Sequence, residues 1–439
     1  MLHINGFRSF KNMALTILPP KGSFIRNVFT LMTGTVVAQA IPIMASPILT
    51  RLYNPEEFGS LALFSAVASM IGVIATGRYE LAIMLPQEEE EAINLVGLSL
   101  AITLCLSTIT FLVVAAFNRE IANLLGNPNF SIWLFAIPVT VFLTGLQNTF
   151  NYWFNRKKRY AKLSLCRITQ SSVNVSANIG MGVAGWQKSG LIGGLLIGQS
   201  FSTAYLVWQA WRRDRSKSRL VNKSLMAKTA RTYKDFPTIN SLHAFSDMLQ
   251  NNGVIFLLSS FFGPSILGFY FLSVRILKTP LMFIGSSVAQ VFYQKATETF
   301  NAGGNLQGLV KKTMFSLMAI AFPIFLLILF LAPYLFSHIF GKEWREAGFY
   351  SQILAPWFFL NFIFSPITQI PIIVNRQKMG FMITSIGNLL ILISIFYGGF
   401  IAKDIYLGLY LLSTILSVYM ICFAFWLYKA AGQVSKIIP

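Results

Sequence analysis

The sequence predicts an all-α integral membrane protein of about 12 transmembrane helices, arranged as two parallel six-helix lobes around a central cleft. Composition is the first observation behind this fold class. Hydrophobic residues make up 55% and charged residues 11% of the 439 residues, whereas soluble proteins carry about 25% charged residues. The mean hydropathy of +0.61 agrees. The second observation is a series of long apolar runs, and the third is an internal repeat.

The apolar runs are predicted to be transmembrane helices, numbered 1 to 12 in chain order. Each is close to the roughly 20 residues that cross a bilayer as a helix. Membrane strands would instead alternate apolar and polar residues over about ten positions. The predicted spans are 28–50, 59–77, 93–117, 131–152, 165–185, 190–211, 238–261, 265–290, 312–332, 349–374, 381–401 and 405–427.

The distribution of Lys and Arg predicts that both termini are cytoplasmic. In that orientation the cytoplasmic segments hold 26 Lys and Arg residues and the outer loops hold 6, as the positive-inside rule requires. Topology therefore accounts for most of the formal net charge of +20, and nucleic acid is not expected as a partner. The outer cations are Arg51, Arg119, Lys188, Lys342, Arg345 and Lys403.

Three short motifs occur twice, at equivalent topological positions. Pro55-Glu-Glu-Phe-Gly59 opens helix 2, and Pro264-Ser-Ile-Leu-Gly268 opens helix 8. Because each repeat holds an even number of helices, both halves enter the membrane in the same direction, an arrangement typical of transporters. The other pairs are 122–126 with 337–341, after helices 3 and 9, and 155–158 with 375–378, after helices 4 and 10.

The repeat divides the chain into five segments. Rocking of one lobe against the other would expose the cleft to each side in turn, and the short loops leave no room for a catalytic domain, so an enzyme is not expected. The segments are a basic cytoplasmic N-terminal arm (1–27), the first lobe (28–211), a basic cytoplasmic linker (212–237), the second lobe (238–427) and a cytoplasmic tail (428–439).

Three cations inside the predicted spans indicate an anionic substrate. They are Arg167 in helix 5, and Arg275 and Lys278 in helix 8. A charge at the bilayer centre costs about 2.5–3.5 kcal/mol on insertion scales, so it normally faces a wet cavity or a partner. A phosphate-bearing substrate fits such a cleft, because the arginine fork grips phosphate oxygens in a bidentate manner.

Neutral polar residues at three- and four-residue spacing predict a polar cavity, because such residues share one helix face. Hydrogen bonding between helices is the alternative reading of the same pattern. Helices 9, 11 and 12 carry few polar residues and are expected outside the bundle. The expected cavity lining is Gln39, Gln147, Asn151, Gln170, Asn174, Asn178, Asn240, Gln250, Asn251 and Gln290.

Asp247 and His243, one turn apart in helix 7, are candidates for carrying a coupling proton or Na⁺. An ion pair between Asp247 and Lys278, which lie at similar depth, is the alternative. Apart from a proton or Na⁺ gradient no cofactor is expected. The three cysteines lie far apart inside apolar stretches and do not have metal-site spacing, so no metal site is predicted.

The chain resembles the oligosaccharide flippases, which share a superfamily with the lipid II flippase and the multidrug and toxin extrusion exporters. The resemblance covers nearly the whole chain, and its most specific part is the segment Arg51-Leu-Tyr-Asn-Pro-Glu-Glu-Phe-Gly59. It implies movement of undecaprenyl-diphosphate-linked repeat units of O-antigen, capsule or exopolysaccharide from the cytoplasmic to the periplasmic leaflet of the bacterial inner membrane. Arg275 is similar in position to cationic helix-8 residues of the lipid II flippase, which implies a diphosphate contact.

The same resemblance implies membrane lipids, a glycan polymerase and glycosyltransferases as partners. Two other functions are weighed against it. A cation-coupled multidrug exporter of the same superfamily would need acids in its cleft. A membrane-embedded glycan polymerase or glycosyltransferase would need acidic catalytic residues in a large outer loop, and the outer loops here are short.

Overall fold

The computed structural model describes residues 24–432. Most of the predicted N-terminal arm (1–27) lies outside the described residues, as do residues 433–439 of the predicted tail. The described chain is helical from end to end apart from short turns. The predicted all-α membrane fold is therefore confirmed.

Each predicted span overlaps a long helix of the described chain. These helices are α1 (Phe24–Met44, continued as Ser46–Leu52), α2 (Pro55–Gly72), α3 (Glu89–Leu124), α4 (Ile137–Arg156), α5 (Tyr160–Val183), α6 (Gln187–Asp214), α7 (Ser241–Phe262), α8 (Pro264–Pro280), α9 (Leu306–Ile339), α10 (Arg345–Phe364), α11 (Gln377–Phe396) and α12 (Ile405–Gly432). After Pro280 the chain passes through the short π-helix Leu281–Gly285 into the helix Ser286–Asn301.

Within residues 24–432, eight helices are long and apolar enough to cross a membrane. The number rises to nine if the bent pair Pro128–Leu134 and Ile137–Arg156, which meet at 44°, forms one span. The exact count of twelve crossings and the orientation of the termini stay predictions.

The two helices that carry the repeated Pro-x-x-x-Gly motif begin in the same way, with proline at the first helical position. There the missing N–H group costs nothing and the fixed φ suits a helix. At α2 the Asn54 side chain accepts a hydrogen bond from the Glu57 backbone N–H, and the Glu57 carboxylate accepts one from the Asn54 N–H, a capping box. At α8 the preceding Gly263 has a φ of 81°, which glycine adopts without strain.

Each half of the chain packs largely on itself. In the first half α5 lies against α1 and α6, and α4 lies against α3. In the second half α10 lies against α8, α9 and α12, and α11 lies against α12. The main contact between the halves is α2, which packs on both α7 and α8. The largest buried apolar cluster spans this contact and includes Leu63 of α2 and Leu267 of α8.

Ion pairs tie helix ends together at the predicted cytoplasmic side of the first lobe. Arg159 donates to both oxygens of Asp214 at 2.7 and 3.0 Å, and the Trp153 indole also donates to this carboxylate. Burial alone would raise the pKa of Asp214, but the hydrogen bonds from Arg159 and Trp153 lower it below its ordinary value. This contact fixes the end of α6 beyond the predicted span, and Glu89 similarly accepts from Lys157 and Lys217.

Candidate functional site

A cavity of about 910 Å³ lies between the halves, lined by residues of α1, α5, α7, α8, α10 and α11. Its walls meet near the middle of the bundle. At 1.5 Å per helical residue, Arg275 lies about 16 Å from the start of α8, Trp357 about 18 Å from the start of α10, and Gln250 about 18 Å from the end of α7. All three helix ends lie on the predicted periplasmic side, called the outer side below. The polar lining is Gln39, Ser171, Gln250, Asn251, Asn252, Arg275, Lys278, Asn361 and Asn388.

Arg275 and Lys278, one turn apart on α8, both line the cavity. Among the described residues, neither cation pairs with a carboxylate, and neither side chain has a hydrogen-bond partner. Among the described residues, no Asp or Glu lines the cavity. A cation without a protein partner in a membrane is costly, so the site is complementary to an anion.

The rest of the polar wall consists mainly of carboxamides. Asn388 of α11 donates to the Gln250 side chain of α7 at 2.7 Å, which leaves the Gln250 NH₂ group and the Asn388 carbonyl free for a ligand. Asn251 and Asn252 each donate to the backbone carbonyl four residues earlier, of Asp247 and Met248. The Trp357 ring also lines the cavity. Amide groups that both donate and accept suit a polyhydroxylated ligand.

Several predicted lining residues lie instead in the first lobe, outside the cavity wall. Gln147 donates to Gln170 at 2.6 Å, and Asn178 donates to Asn174 at 2.8 Å. Arg167 donates to the Thr35 hydroxyl of α1. The Gln147–Gln170 and Arg167–Thr35 contacts are the interhelical hydrogen bonds that the sequence left open as an alternative, whereas the Asn178–Asn174 bond lies within α5. Asn151 also lies away from the wall, so a substrate role for this group stays a prediction.

The remaining candidates lie towards the predicted cytoplasmic side. Asn240 ends the π-turn Phe236–Asn240 before α7, and Gln290 is exposed on the helix after α8. The His243 Nδ1 atom lies 3.1 Å from an Asp247 carboxylate oxygen, and 68% and 51% of their side chains are exposed. Asp247 therefore pairs with His243, and the alternative pair with Lys278 is not formed.

Sequence reasoning missed Ser171, Asn252, Trp357, Asn361 and Asn388, all of which line the cavity. Neither Asn361 nor Asn388 has another carboxamide residue within four positions, so no stripe of amides marked them. The expectation that helix 11 lies outside the bundle is wrong, because α11 contributes Asn388 and Ile391 to the wall. The signal that could have identified Asn361 and Asn388 is a single amide deep in an apolar run.

The two repeated Pro-x-x-x-Gly motifs meet each other at the outer side. A Cβ atom on Gly59 would lie 1.8 Å from the Pro264 carbonyl oxygen, and one on Gly268 would lie 1.8 Å from the Pro55 carbonyl oxygen. Because each glycine has no side chain, the first residue of the other helix can pack directly against it. The two contacts are equivalent under exchange of the repeats, which places one on each side of the pseudo-two-fold axis that relates the lobes.

Further contacts close the outer side around this crossing. The fully buried Trp344 indole donates to the Thr50 carbonyl at 2.9 Å and stacks edge-on against Phe58 at 4.8 Å. At the equivalent position of the other repeat, Ser259 donates to the Leu125 carbonyl at 2.6 Å. We call this set of contacts the outer gate: Gly59–Pro264, Gly268–Pro55, Trp344–Thr50 and Ser259–Leu125. The structure therefore closes the cavity towards the predicted periplasm.

Removing the indole donor of the gate is expected to favour its opening. In Trp344→Phe the ring stays but the hydrogen bond to Thr50 is lost, and a net hydrogen bond contributes about 0.5–1.5 kcal/mol. The ratio of open to closed gate should then rise roughly 2- to 13-fold. The measurement is the alkylation rate of Thr50→Cys, a position 4% exposed when the gate is closed, in a protein whose native cysteines are replaced by serine.

Trp186→Phe is the matched control, because Trp186 is an exposed outer tryptophan outside the gate. Equal alkylation rates in the Trp344→Phe and parent proteins would show that the indole does not hold the gate.

The fold matches solved membrane transporters along nearly its full length. The lipid II flippase MurJ in an inward closed conformation has a TM-score of 0.69, with 14% identity and coverage of 94% of this chain and 90% of that one. An inward-facing multidrug resistance MATE family transporter of the MOP superfamily has a TM-score of 0.65, with 12% identity and coverage of 90% and 96%. An outward-facing MATE transporter gives 0.51, with 13% identity and coverage of 94% and 96%.

The two-lobed helical fold around a polar cavity is thus the fold of MOP superfamily transporters. The chain belongs to the polysaccharide biosynthesis protein family, whose sequence model matches residues 48–348. The family resemblance predicted from the sequence is therefore confirmed. No curated protein matches the sequence.

Proposed function

We propose that this protein is a flippase that moves undecaprenyl-diphosphate-linked oligosaccharide repeat units from the cytoplasmic to the periplasmic leaflet of the bacterial inner membrane. The glycan would serve O-antigen, capsule or exopolysaccharide synthesis. Family membership and the transporter fold support a transporter in polysaccharide biosynthesis. The substrate itself is the proposed part.

One observation carries the substrate assignment: the cavity wall presents, beside several carboxamides, two cations that pair with no carboxylate among the described residues. The diphosphate would contact Arg275 and Lys278, with the guanidinium able to bind two phosphate oxygens at once. The sugars would contact the amides of Gln250, Asn361 and Asn388, and Trp357 offers an apolar ring face. The polyprenyl chain is apolar and would remain in the lipid.

Translocation would follow from opening the outer gate while the opposite side closes. The substrate shifts the balance between the inward-open and outward-open states only if it binds them with different affinity. Arg275 and Lys278 lie near the middle of the bundle, so they can contact the headgroup in both states. A proton or Na⁺ gradient would drive the cycle, with Asp247 and His243 as the proposed coupling groups. No step requires an enzymatic reaction.

A multidrug exporter is the second candidate, because a MATE transporter shares the fold. A cationic drug in this cavity would meet Arg275 and Lys278 directly, and like charges at close range repel more strongly where water is excluded. The charge of the wall therefore favours the anionic lipid-linked glycan.

The test is deletion of the gene in its source organism, followed by analysis of envelope glycan. The deletion should remove the surface polysaccharide and leave lipid-linked repeat units in the cytoplasmic leaflet, where a membrane-impermeant lectin cannot reach them in spheroplasts. Reintroduction of the gene should restore both. Normal glycan display in the deletion strain, together with increased sensitivity to cationic dyes, would favour the exporter instead.

A further inference from the structure

A second polar pocket lies at the outer gate. It has a volume of about 470 Å³ and is lined by residues 50–54, between α1 and α2, and by residues 340–344, before α10. Each lobe therefore supplies one wall. The pocket adjoins the Trp344–Thr50 hydrogen bond, so it is complete only while the gate is closed.

This pocket brings together two of the six outer cations, one from each lobe: Arg51 from the first and Lys342 from the second. Neither pairs with a carboxylate within the part of the chain that the structure describes. Glu343 also lines the pocket but forms no ion pair with either cation among the described residues. The lining residues therefore carry one excess positive charge, and each lobe contributes one exposed cation.

A pocket with a net positive charge is complementary to an anion. An anion that contacts both cations would attract the two lobes to one another across the gate. Arg51 offers a planar fork that matches phosphate oxygens, and Lys342 adds a point charge. The position at the outer end of the bundle also brings the pocket to the level of lipid headgroups.

We propose that this pocket binds a phosphate-type oxyanion and that its occupancy stabilises the closed outer gate. A ligand that binds one state alone shifts the equilibrium by its differential affinity. The oxyanion could be free phosphate from the outer compartment or the headgroup of an anionic phospholipid, since both present the same phosphate oxygens. This site is separate from the cavity that holds Arg275 and Lys278, and the inference does not depend on the proposed substrate.

The experiment measures alkylation of Ser259→Cys, a buried gate position that does not line this pocket, by a water-soluble maleimide in nanodiscs, in the protein whose native cysteines are replaced by serine. An anion that binds only the closed state multiplies the closed-to-open ratio by 1 + [L]/Kd, about elevenfold at ten times its Kd. Titration with inorganic phosphate in phosphatidylcholine nanodiscs should slow alkylation towards that limit. A response to phosphatidylglycerol nanodiscs without added phosphate would identify the lipid headgroup as the source.

Charge variants locate the effect. Arg51→Gln with Lys342→Gln should abolish the anion response, whereas Arg51→Lys should retain it and show that the segment still folds. Arg119→Gln with Lys403→Gln, two exposed outer cations outside the pocket, should respond like the parent. Arg275→Gln with Lys278→Gln should also respond, which separates this site from the central cavity.

Two results would overturn the proposal. One is an alkylation rate that neither phosphate nor phosphatidylglycerol changes. The other is an undiminished response in the protein with Arg51→Gln and Lys342→Gln. Because no glycan is transported in this assay, either result leaves the proposed flippase function to its own test.

Discussion

Arg275→Gln is expected to abolish translocation of the lipid-linked glycan while leaving the amount and thermal stability of the protein unchanged or higher. The reason is that the guanidinium has no protein partner among the described residues, although it lies deep in the bundle. Removing one member of a buried ion pair costs about 3–5 kcal/mol, because the other charge is left uncompensated. Removing Arg275 leaves no partner charge uncompensated. The substitution should therefore reduce translocation without lowering the stability of the protein.

The measurements are surface glycan in a complemented deletion strain and the melting temperature of the purified protein. Arg159→Gln is the matched control, because Arg159 donates two hydrogen bonds to Asp214 and should lower stability instead. Arg275→Lys keeps the charge but not the fork, so it should retain part of the activity if charge dominates. Full glycan display by Arg275→Gln would remove this residue from the substrate site.

Lys278→Gln tests whether the two cations act as one site. Their common turn of α8 implies that both contact the same headgroup, so the second substitution should add little once Arg275 is lost. Interaction energies of about 0.5–3 kcal/mol are common between residues that share a partner. Independent, additive losses would indicate two separate contacts.

The fold class followed from the sequence because apolar length and charge distribution are nearly sufficient to define membrane helices. The site was harder to predict, because the spacing of polar residues along a helix does not show whether they face a cavity or another helix. The α5 stripe faces the glycines of α6. A Cβ atom on Gly194 would lie 1.8 Å from the Asn178 side-chain oxygen, and one on Gly198 would lie 2.7 Å from the Asn174 Cβ atom. These side chains therefore pack in the close contact between α5 and α6. The spacing of the residues alone cannot show this.

The cations of α8 were accessible to sequence reasoning for the opposite reason. Charge in a span is rare and costly, so Arg275 and Lys278 stood out without any pattern. Asn361 and Asn388 carry no charge, and one amide in an apolar helix is tolerated through local bonds. The sequence also revealed both Pro-x-x-x-Gly motifs, but their mutual contact depends on where the symmetry axis passes, which requires the three-dimensional structure.

Gly59→Ala and Gly268→Ala are expected to prevent full closure of the outer gate. Each added methyl group would lie 1.8 Å from a backbone carbonyl oxygen of the facing helix, so the helices must separate. Overpacking a tight contact costs about 1–3 kcal/mol, which corresponds to a rise of roughly 5- to 150-fold in the open-to-closed ratio. Alkylation of Thr50→Cys should accelerate by that factor, and glycan display should fall, because a gate that does not close cannot complete the cycle.

Helix propensity would act in the opposite direction, since alanine stabilises a helix interior by about 1 kcal/mol relative to glycine. Gly180→Ala is therefore the matched control, because a Cβ atom there has no neighbour within 4 Å. The pseudo-symmetry adds a sharper expectation. Once the helices have separated to admit one methyl group, the second methyl group enters a contact that is already wider. The free-energy cost of gate closure in the double variant should therefore be smaller than the sum of the costs in the two single variants. Strict additivity would mean that α2 and α8 yield locally at each glycine, and that the two repeats do not move as rigid lobes.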